Sequence, residues 1–189
     1  MAKGEDTAKL NEVFGAKVAG ITEFRGETTL HVGLADLHSV LGTCRDDLGY
    51  ELVLDISSVD HFGDDPRFEV VYELATLDDA RHLRVKAKVA EDEEVPSAVG
   101  IWAGADWHER EVWDMMGIRF SGHPNMKRIL MWEGYPFFPL RKDFPLAGRP
   151  TDMPDVAFTG VAPMEGGPFV TSAGAEDVIR REPRARVIG

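Results

Sequence analysis

Apolar and polar residues alternate along three consecutive stretches in the middle of the chain, and this alternation predicts β-strands. The stretches are YELVLDISSVDHF, RFEVVYELATL and RHLRVKAKVA, and the turn-forming sequences GDDP and LDDA separate them. Every second residue from Leu83 to Val89 is apolar and those between are Arg or Lys, a pattern typical of a sheet with one buried face. We therefore predict a three-stranded antiparallel meander with helices over its apolar face.

Shorter patterns before the meander predict two helices and a hairpin. Residues 8–15 favour a short opening helix, and two brief strands are expected on either side of the Arg25-Gly26 turn. From Asp36 to Leu48 apolar residues recur every three or four positions, which predicts a helix that Gly49 ends. Cys44 would then lie on or beside the buried stripe of that helix.

Two further helices are predicted after the meander. Ser97 is placed to cap a short helix that carries Ile101 and Trp102, and Asp106 with Glu109 forms a capping-box pattern for a second helix that Gly117 ends. On this second helix Val112, Trp113 and Met116 share one stripe, and we expect the charged residues to lie over the remaining surface; these are Glu109, Arg110, Glu111 and Asp114. The fold class that follows is α+β, an antiparallel β-sheet covered by helices.

The character of the chain changes near its end, where proline and glycine become frequent. YPFFPLRKDFPLAGRP places four prolines too close together for a regular element. We therefore divide the chain into an α+β domain, residues 1–146, and an extended Pro/Gly-rich tail, residues 147–189. A tail with so few apolar residues is expected to become ordered by lying across a partner protein.

Charge and cysteine content exclude several classes of function. The net charge of -12 repels a phosphate backbone, so nucleic-acid binding is not expected. The single cysteine, Cys44, permits neither an intrachain disulfide nor a cysteine-ligated cluster or zinc ribbon on this chain. No apolar run is long enough to span a membrane, and the first residues do not read as a secretory signal, so the protein is expected to remain inside the cell.

The sequence WHEREVWDMM raises the possibility of a metal site or an acid–base pair. A zincin helix needs two histidines four residues apart, whereas here the second histidine, His123, follows His108 in a different segment. Helix capping and ion pairing are the favoured interpretation of these charges, and a stand-alone metal-dependent hydrolase using His108, Glu111 and His123 is kept as an alternative. Without a Gly-rich loop, no dinucleotide or phosphate site is expected either. We therefore expect no catalytic, cofactor-binding or metal-binding residue on this chain.

The same region carries a longer motif, ERE-x2-DMM-x6-H-x3-K-x-IL. Its defining residues are Glu109, Arg110, Glu111, Asp114, Met115, Met116, His123, Lys127, Ile129 and Leu130. The motif resembles the signature of the 30-kDa subunit family of the respiratory-chain NADH dehydrogenase, also known as the C subunit of NADH-quinone oxidoreductase (complex I, NDH-1). HFGDDPRFEVVYEL, VPSAVGIWAGADW and YPFFPLRKDFPL are similar to the same family, so the resemblance covers roughly residues 35 to 150.

The resemblance implies an α/β-folded, non-catalytic subunit of the hydrophilic arm that packs beside the 49-kDa (D) subunit. It also implies that FMN and the iron–sulfur clusters lie on partner subunits, which pass electrons from NADH to quinone while protons cross the membrane. The chain would be a peripheral protein on the cytoplasmic side of the inner membrane, touching the membrane only through the complex. An alternative is the homologous subunit of a membrane-bound hydrogenase or of a dehydrogenase fed by ferredoxin or a deazaflavin.

Overall fold

A five-stranded β-sheet is the centre of the fold in the computed structural model, which describes residues 10–145. The strands are β1 Val18–Phe24, β2 Glu27–Val32, β3 Leu52–Asp60, β4 Phe68–Ala75 and β5 His82–Val89. Their order across the sheet is β1-β2-β5-β4-β3. Strands β3, β4 and β5 pair antiparallel in sequence order, which confirms the predicted meander, and β1 and β2 form the predicted hairpin.

The prediction of an antiparallel sheet is wrong at one place, because the sheet is mixed. Strand β2 runs parallel to β5, with Leu30 opposite Val85. A parallel pair needs a long connection, and here a helix and two strands separate β2 from β5 in the chain. Alternation within each strand predicts which face is buried, but the choice of a distant neighbour and its direction is not encoded in that local pattern.

Helix α1, Leu34–Asp46, covers the apolar face of the sheet as predicted from its periodicity. Its buried residues are Leu37, Val40, Leu41 and Cys44, each 0% exposed. The helix lies against β2 and β5, and Gly49, three residues after the helix ends, adopts a left-handed conformation with φ of 75°. The predicted opening helix is helical at residues 10–14 and continues into a 3-10 turn, Gly15–Lys17, while its first residues lie outside the described part.

The opposite face of the sheet carries charged side chains paired across the strands. Lys86 on β5 donates to Glu69 on β4 at 2.9 Å. Arg84 forms ion pairs with Glu73 on β4 and, at 3.0 Å, with Glu27 on β2. Cross-strand pairs of opposite charge stabilise neighbouring strands, so the alternation of Arg and Lys along β5 places these side chains where the sheet can use them.

A smaller layer follows the main sheet, with helix α2, Ala105–Met116, between two short strands. Strand β6, Glu94–Pro96, pairs parallel with β7, Arg119–Ser121, and the helix lies along the edge strand β3. Gly117 ends α2 as predicted, with φ of 79° and its N–H bonded to the carbonyl of Trp113 at 2.8 Å. The predicted short helix after Ser97 is absent, because residues 97–104 form turns in which Gly100 and Gly104 disfavour a continuous helix.

The chain divides into two compact units, Met1–Ile129 and Leu130–Gly189. In the second unit, residues 130–145 form no helix or strand, in agreement with the expectation from their prolines. Three aromatic contacts link Trp132 to Tyr135, Tyr135 to Phe137, and Phe137 to Phe144, with ring centroids 4.5 to 5.9 Å apart. The predicted domain boundary at residue 146 and the tail lie outside the described residues. Among residues 10–145, no helix is both long and apolar enough to cross a membrane.

Candidate functional site

Helix α2 binds the segment that follows β7 through side chains on one of its faces. Asp106, Arg110 and Asp114 are spaced four residues apart, so they project from successive turns of the same face. Each of them contacts a residue of the segment 123–129. We call this set of contacts the helix–loop clamp: Asp106, Arg110 and Asp114 on the helix, and residues 123–129 opposite them.

The first turn of the clamp joins Asp106 to His123, whose side chain is fully buried. The backbone N–H of Asn125 donates to Nδ1 of His123 at 3.0 Å. Because Nδ1 accepts that bond, the ring proton lies on Nε2 in the neutral tautomer, and Nε2 donates to the carbonyl of Asp106 at 3.2 Å. Carboxylate oxygen Oδ1 of Asp106 lies 3.0 Å from the same nitrogen. His123 therefore fixes the start of the segment to the N-terminal turn of α2.

Arg110 forms the middle of the clamp and holds backbone rather than a charged partner. Its Nε donates to the carbonyl of Lys127 at 2.9 Å, and its Nη2 donates to the carbonyl of Arg128 at 3.1 Å. The guanidinium also lies over the ring of Trp107, 5.4 Å from its centroid. A planar guanidinium can reach two successive carbonyls at once, which a lysine cannot do.

Asp114 forms the third turn of the clamp and is 0% exposed. Arg128 donates to Oδ1 of Asp114 at 2.5 Å and to its backbone carbonyl at 3.0 Å, and the N–H of Ile129 donates to Oδ2 at 3.0 Å. The guanidinium of Arg128 also lies 5.6 Å from the ring centroid of Trp113. Both oxygens of a buried carboxylate are therefore satisfied by donors from the segment.

Glu109 faces away from the segment and into the protein, where it too is 0% exposed. It accepts hydrogen bonds from the hydroxyl of Ser97 at 2.7 Å and from the N–H of Ala98 at 2.6 Å. Burial raises the pKa of this carboxyl above its ordinary value, although the two donors and the nearby His123 act in the opposite direction. Glu109 thus ties the turns after β6 to α2.

Two expectations about these charges are wrong. Glu109 and Asp114 do not lie on the surface of α2 but are fully buried, because each finds enough donors to replace water. The capping box is also absent: Gly104 occupies the N-cap position without a side-chain bond, and Glu109 binds Ser97 and Ala98 instead of the helix start. Ser97 in turn caps no helix, and its hydroxyl accepts the N–H of Val99 at 3.2 Å.

The remaining signature residues have different surroundings. Met115 and Met116 are buried in the core, whereas Glu111 is exposed. Lys127 is exposed and contributes its backbone carbonyl to the clamp, as Ile129 contributes its N–H. Leu130 is the first residue of the second unit.

Sequence reasoning missed Arg128 and the exposed Trp107. Arg128 occupies an unspecified position of the motif, and only its charge, opposite in sign to that of Asp114, could have indicated it. Trp107 is 60% exposed, which is unusual for so large an aromatic side chain. Tyr72, on β4, was not singled out either, although its fully buried hydroxyl has no hydrogen-bond partner among the described residues.

The alternative of a metal-dependent hydrolase would require His108, Glu111 and His123 to converge. His108 instead lies 3.1 Å from Asp55 of β3 through Nδ1, while His123 is buried against Asp106. Within residues 10–145 no group of three or more His, Cys, Asp or Glu side chains is placed to hold a metal ion. The buried polar side chains of the signature are engaged in contacts between segments of this chain.

Comparison with known proteins identifies the family of this helix and its surroundings. Residues 30–150 match the family described as respiratory-chain NADH dehydrogenase, 30 Kd subunit. The C subunit of NADH-quinone oxidoreductase from Citrifermentans bemidjiense is 46% identical over 141 residues, which are 74% of this chain and 88% of that protein. In Rhizobium etli, the C subunit of the same enzyme that bears the number 2 is 52% identical over 99 residues, 52% of this chain and 53% of that one.

A solved structure shares the fold. It is a chain from the structure of the membrane-bound sulfane sulfur reductase, an archaeal respiratory membrane complex, with a TM-score of 0.66 and 24% identity. The match covers 76% of this chain and 86% of that chain. The family match spans the main sheet from β2 onward, α1, α2 and the whole clamp. The chain belongs to the 30-kDa subunit family of the respiratory-chain NADH dehydrogenase.

Proposed function

We propose that this chain is a structural subunit of the peripheral arm of a proton-translocating NADH:quinone oxidoreductase and carries out no chemistry itself. The observation that carries the proposal is the family match over residues 30–150, which includes every residue of the signature. The enzyme as a whole would pass electrons from NADH through iron–sulfur clusters to quinone. The contribution of this chain would be to hold neighbouring subunits in position.

The geometry of the signature supports a structural role. Asp106, Arg110 and Asp114 are engaged along three turns of α2, and their partners belong to one segment of seven residues. That segment leads directly into the second unit, which begins at Leu130. A clamp at this point fixes the direction in which the chain leaves the first unit. The signature would thus be maintained because it positions the following residues for a partner.

The proposed partner is the 49-kDa (D) subunit, together with other subunits of the hydrophilic arm. Two features of the described residues suit a protein partner. Trp107 is exposed and lies beneath the guanidinium of Arg110, and Trp and Arg are common at the centres of protein interfaces. Residues 130–145 add several aromatic side chains without forming a helix or strand.

FMN and the iron–sulfur clusters would be bound by the partners, in keeping with the single cysteine of this chain. Cys44 is 0% exposed, and burial raises the pKa of its thiol to about 12. A thiol that is both inaccessible and protonated is a poor metal ligand. The chain would reach the cytoplasmic side of the inner membrane only through the complex.

Affinity purification of the tagged full chain from native membranes, followed by mass spectrometry, tests the assignment. We expect the 49-kDa subunit and the flavin-containing NADH-oxidising subunits in stoichiometric amounts. Recovery of hydrogenase subunits, or of a ferredoxin- or deazaflavin-dependent module, would instead support the alternative donors. Recovery of the chain alone, with a bound metal or an independent activity, would contradict the structural role.

Deletion of residues 151–189 tests the proposed role of the tail. A segment that becomes ordered on binding must offset about 1–2 kcal/mol of backbone entropy per residue, so a tail of this length requires a long, continuous contact. We expect the truncated chain to be soluble and folded, with a circular dichroism spectrum of an α+β protein, but to lose co-purification with the 49-kDa subunit. Unchanged assembly of the truncated chain would show that the tail is not needed for docking.

A further inference from the structure

A buried polar cluster lies between the main sheet and α2. Its centre is the carboxylate of Glu109, which accepts two hydrogen bonds, from Ser97 and from Ala98. Tyr72 projects from β4 toward the core and is 0% exposed, and its hydroxyl is unpaired within the described residues. An unpaired buried hydroxyl costs about 1–3 kcal/mol, so an arrangement of this kind requires an explanation.

The two side chains are close enough to influence each other. Burial raises the pKa of Tyr72 well above its ordinary value, and the negative charge of Glu109 raises it further. Among residues 10–145, Glu109 has no fully charged partner, because the neighbouring His123 uses Nδ1 as an acceptor and its Nε2 lies 4.0 Å from the carboxylate. The other titratable neighbour that acts on Glu109, Asp106, is itself an acid. A buried carboxylate in such surroundings is stabilised chiefly by hydrogen-bond donors.

We propose that one buried water molecule bridges the hydroxyl of Tyr72 and the carboxylate of Glu109, which makes Tyr72 the third donor to this buried anion. The hydroxyl donates to the water, and the water donates to a carboxylate oxygen. Buried waters characteristically occupy sites where several otherwise unsatisfied polar groups meet. The bridge would join β4 to α2 at the position of the signature glutamate, and this inference does not depend on the proposed function.

The bridge has a pH signature that a purely steric role of Tyr72 lacks. A donor to the charged form of Glu109 lowers its folded-state pKa, so loss of the donor raises that pKa further above the unfolded value. Tyr72→Phe should therefore destabilise the protein most at pH values above the folded-state pKa, where Glu109 is charged. The difference between Tyr72→Phe and the wild type should shrink as the pH falls and Glu109 takes up a proton.

The experiment compares urea unfolding of the full chain and its Tyr72→Phe variant between pH 8 and pH 4. We expect the unfolding equilibrium constant of the variant to exceed that of the wild type by about tenfold at pH 8, with the ratio approaching one at pH 4. The control is the same substitution in a Glu109→Gln background, where the ratio should not change with pH. Glutamine can still accept from Ala98 and donate to Ser97, so this background is expected to fold.

Two results would overturn the proposal. Equal or greater stability of Tyr72→Phe at pH 8 would mean that the hydroxyl is simply unpaired, and a pH-independent loss would mean that Tyr72 contributes only packing. A high-resolution structure of the assembled complex provides a second measurement that does not depend on the variant folding. Density for a water within hydrogen-bond distance of both side chains supports the bridge, and a direct contact between the two groups or an empty apolar space contradicts it.

Discussion

Asp114 and Arg128 form a buried ion pair that joins helix α2 to the segment leading out of the first unit. The guanidinium of Arg128 contacts both the carboxylate and the backbone carbonyl of Asp114, and the second carboxylate oxygen accepts the N–H of Ile129. Such a pair is not a strong source of stability in itself, since both groups lose their water. Its geometric effect is larger, because it fixes one end of the segment relative to the helix.

Removal of Asp114 should therefore be costly. We expect Asp114→Ala to lower the free energy of unfolding by about 3–5 kcal/mol, because the guanidinium of Arg128 and the N–H of Ile129 lose a buried acceptor. Chemical denaturation of the full chain measures this loss. A double-mutant cycle with Arg128→Ala separates the pair from other effects: the loss in the double variant should be clearly smaller than the sum of the two single losses. Strict additivity would show that the two side chains are not coupled.

Cys44 should be unreactive in the folded protein. Its side chain is fully buried on α1, and burial raises the pKa of the thiol to about 12, so almost no thiolate exists at pH 8. We expect a thiol reagent such as DTNB to label the native chain only at the rate at which it unfolds, and to label the urea-unfolded chain within minutes. Rapid stoichiometric labelling of the native protein would place Cys44 at an accessible position and contradict the packing of α1.

Lys86 should control the acid sensitivity of the charged face of the sheet. Burial alone would raise the pKa of Glu69, but the hydrogen bond and charge of Lys86, with help from His61, hold that pKa below its ordinary value. A lowered carboxyl pKa contributes stability above the unfolded pKa, and this contribution is lost as the pH falls through the folded-state pKa. Lys86→Met should thus reduce the urea midpoint at pH 7 and have a smaller effect near pH 3.

The control for this prediction lies on the same strand. Lys88 is exposed and two residues away, and Lys88→Met removes the same charge without removing the hydrogen bond to Glu69. It should change the midpoint little at either pH. If the two variants behaved alike, net charge rather than the Lys86–Glu69 pair would determine the acid sensitivity.

Periodicity is sufficient to predict much of the fold but not its polar interior. The meander, α1 and the end of α2 at Gly117 follow from local patterns, since alternation and glycine conformation act within a few residues. The parallel pairing of β2 with β5 does not, because it depends on contacts distant in sequence. Charge usually means solvent exposure, which predicts Glu109 and Asp114 at the surface, and their burial depends on donors from Ser97, Arg128 and Ile129 that no local pattern reveals.

Arg110 provides the sharpest distinction between a structural and a catalytic role for the signature. Arg110→Ala removes both bonds to the carbonyls of Lys127 and Arg128, and a loss of about 1.5–3 kcal/mol is expected for hydrogen bonds from a charged group. Arg110→Lys should restore only part of this loss, because an ammonium cannot match the fork of the guanidinium. Arg119→Ala, which removes an exposed arginine from β7, is the matched control and should leave assembly unchanged.

The decisive measurement is the NADH:quinone turnover of native membranes carrying Arg110→Ala, divided by the amount of fully assembled complex in the same membranes. If the chain acts by positioning its neighbours, the amount of complex should fall several-fold while the turnover of each assembled complex stays within experimental error of the wild type. A normal amount of complex with a reduced turnover would mean that Arg110 takes part in the reaction and would contradict the structural role.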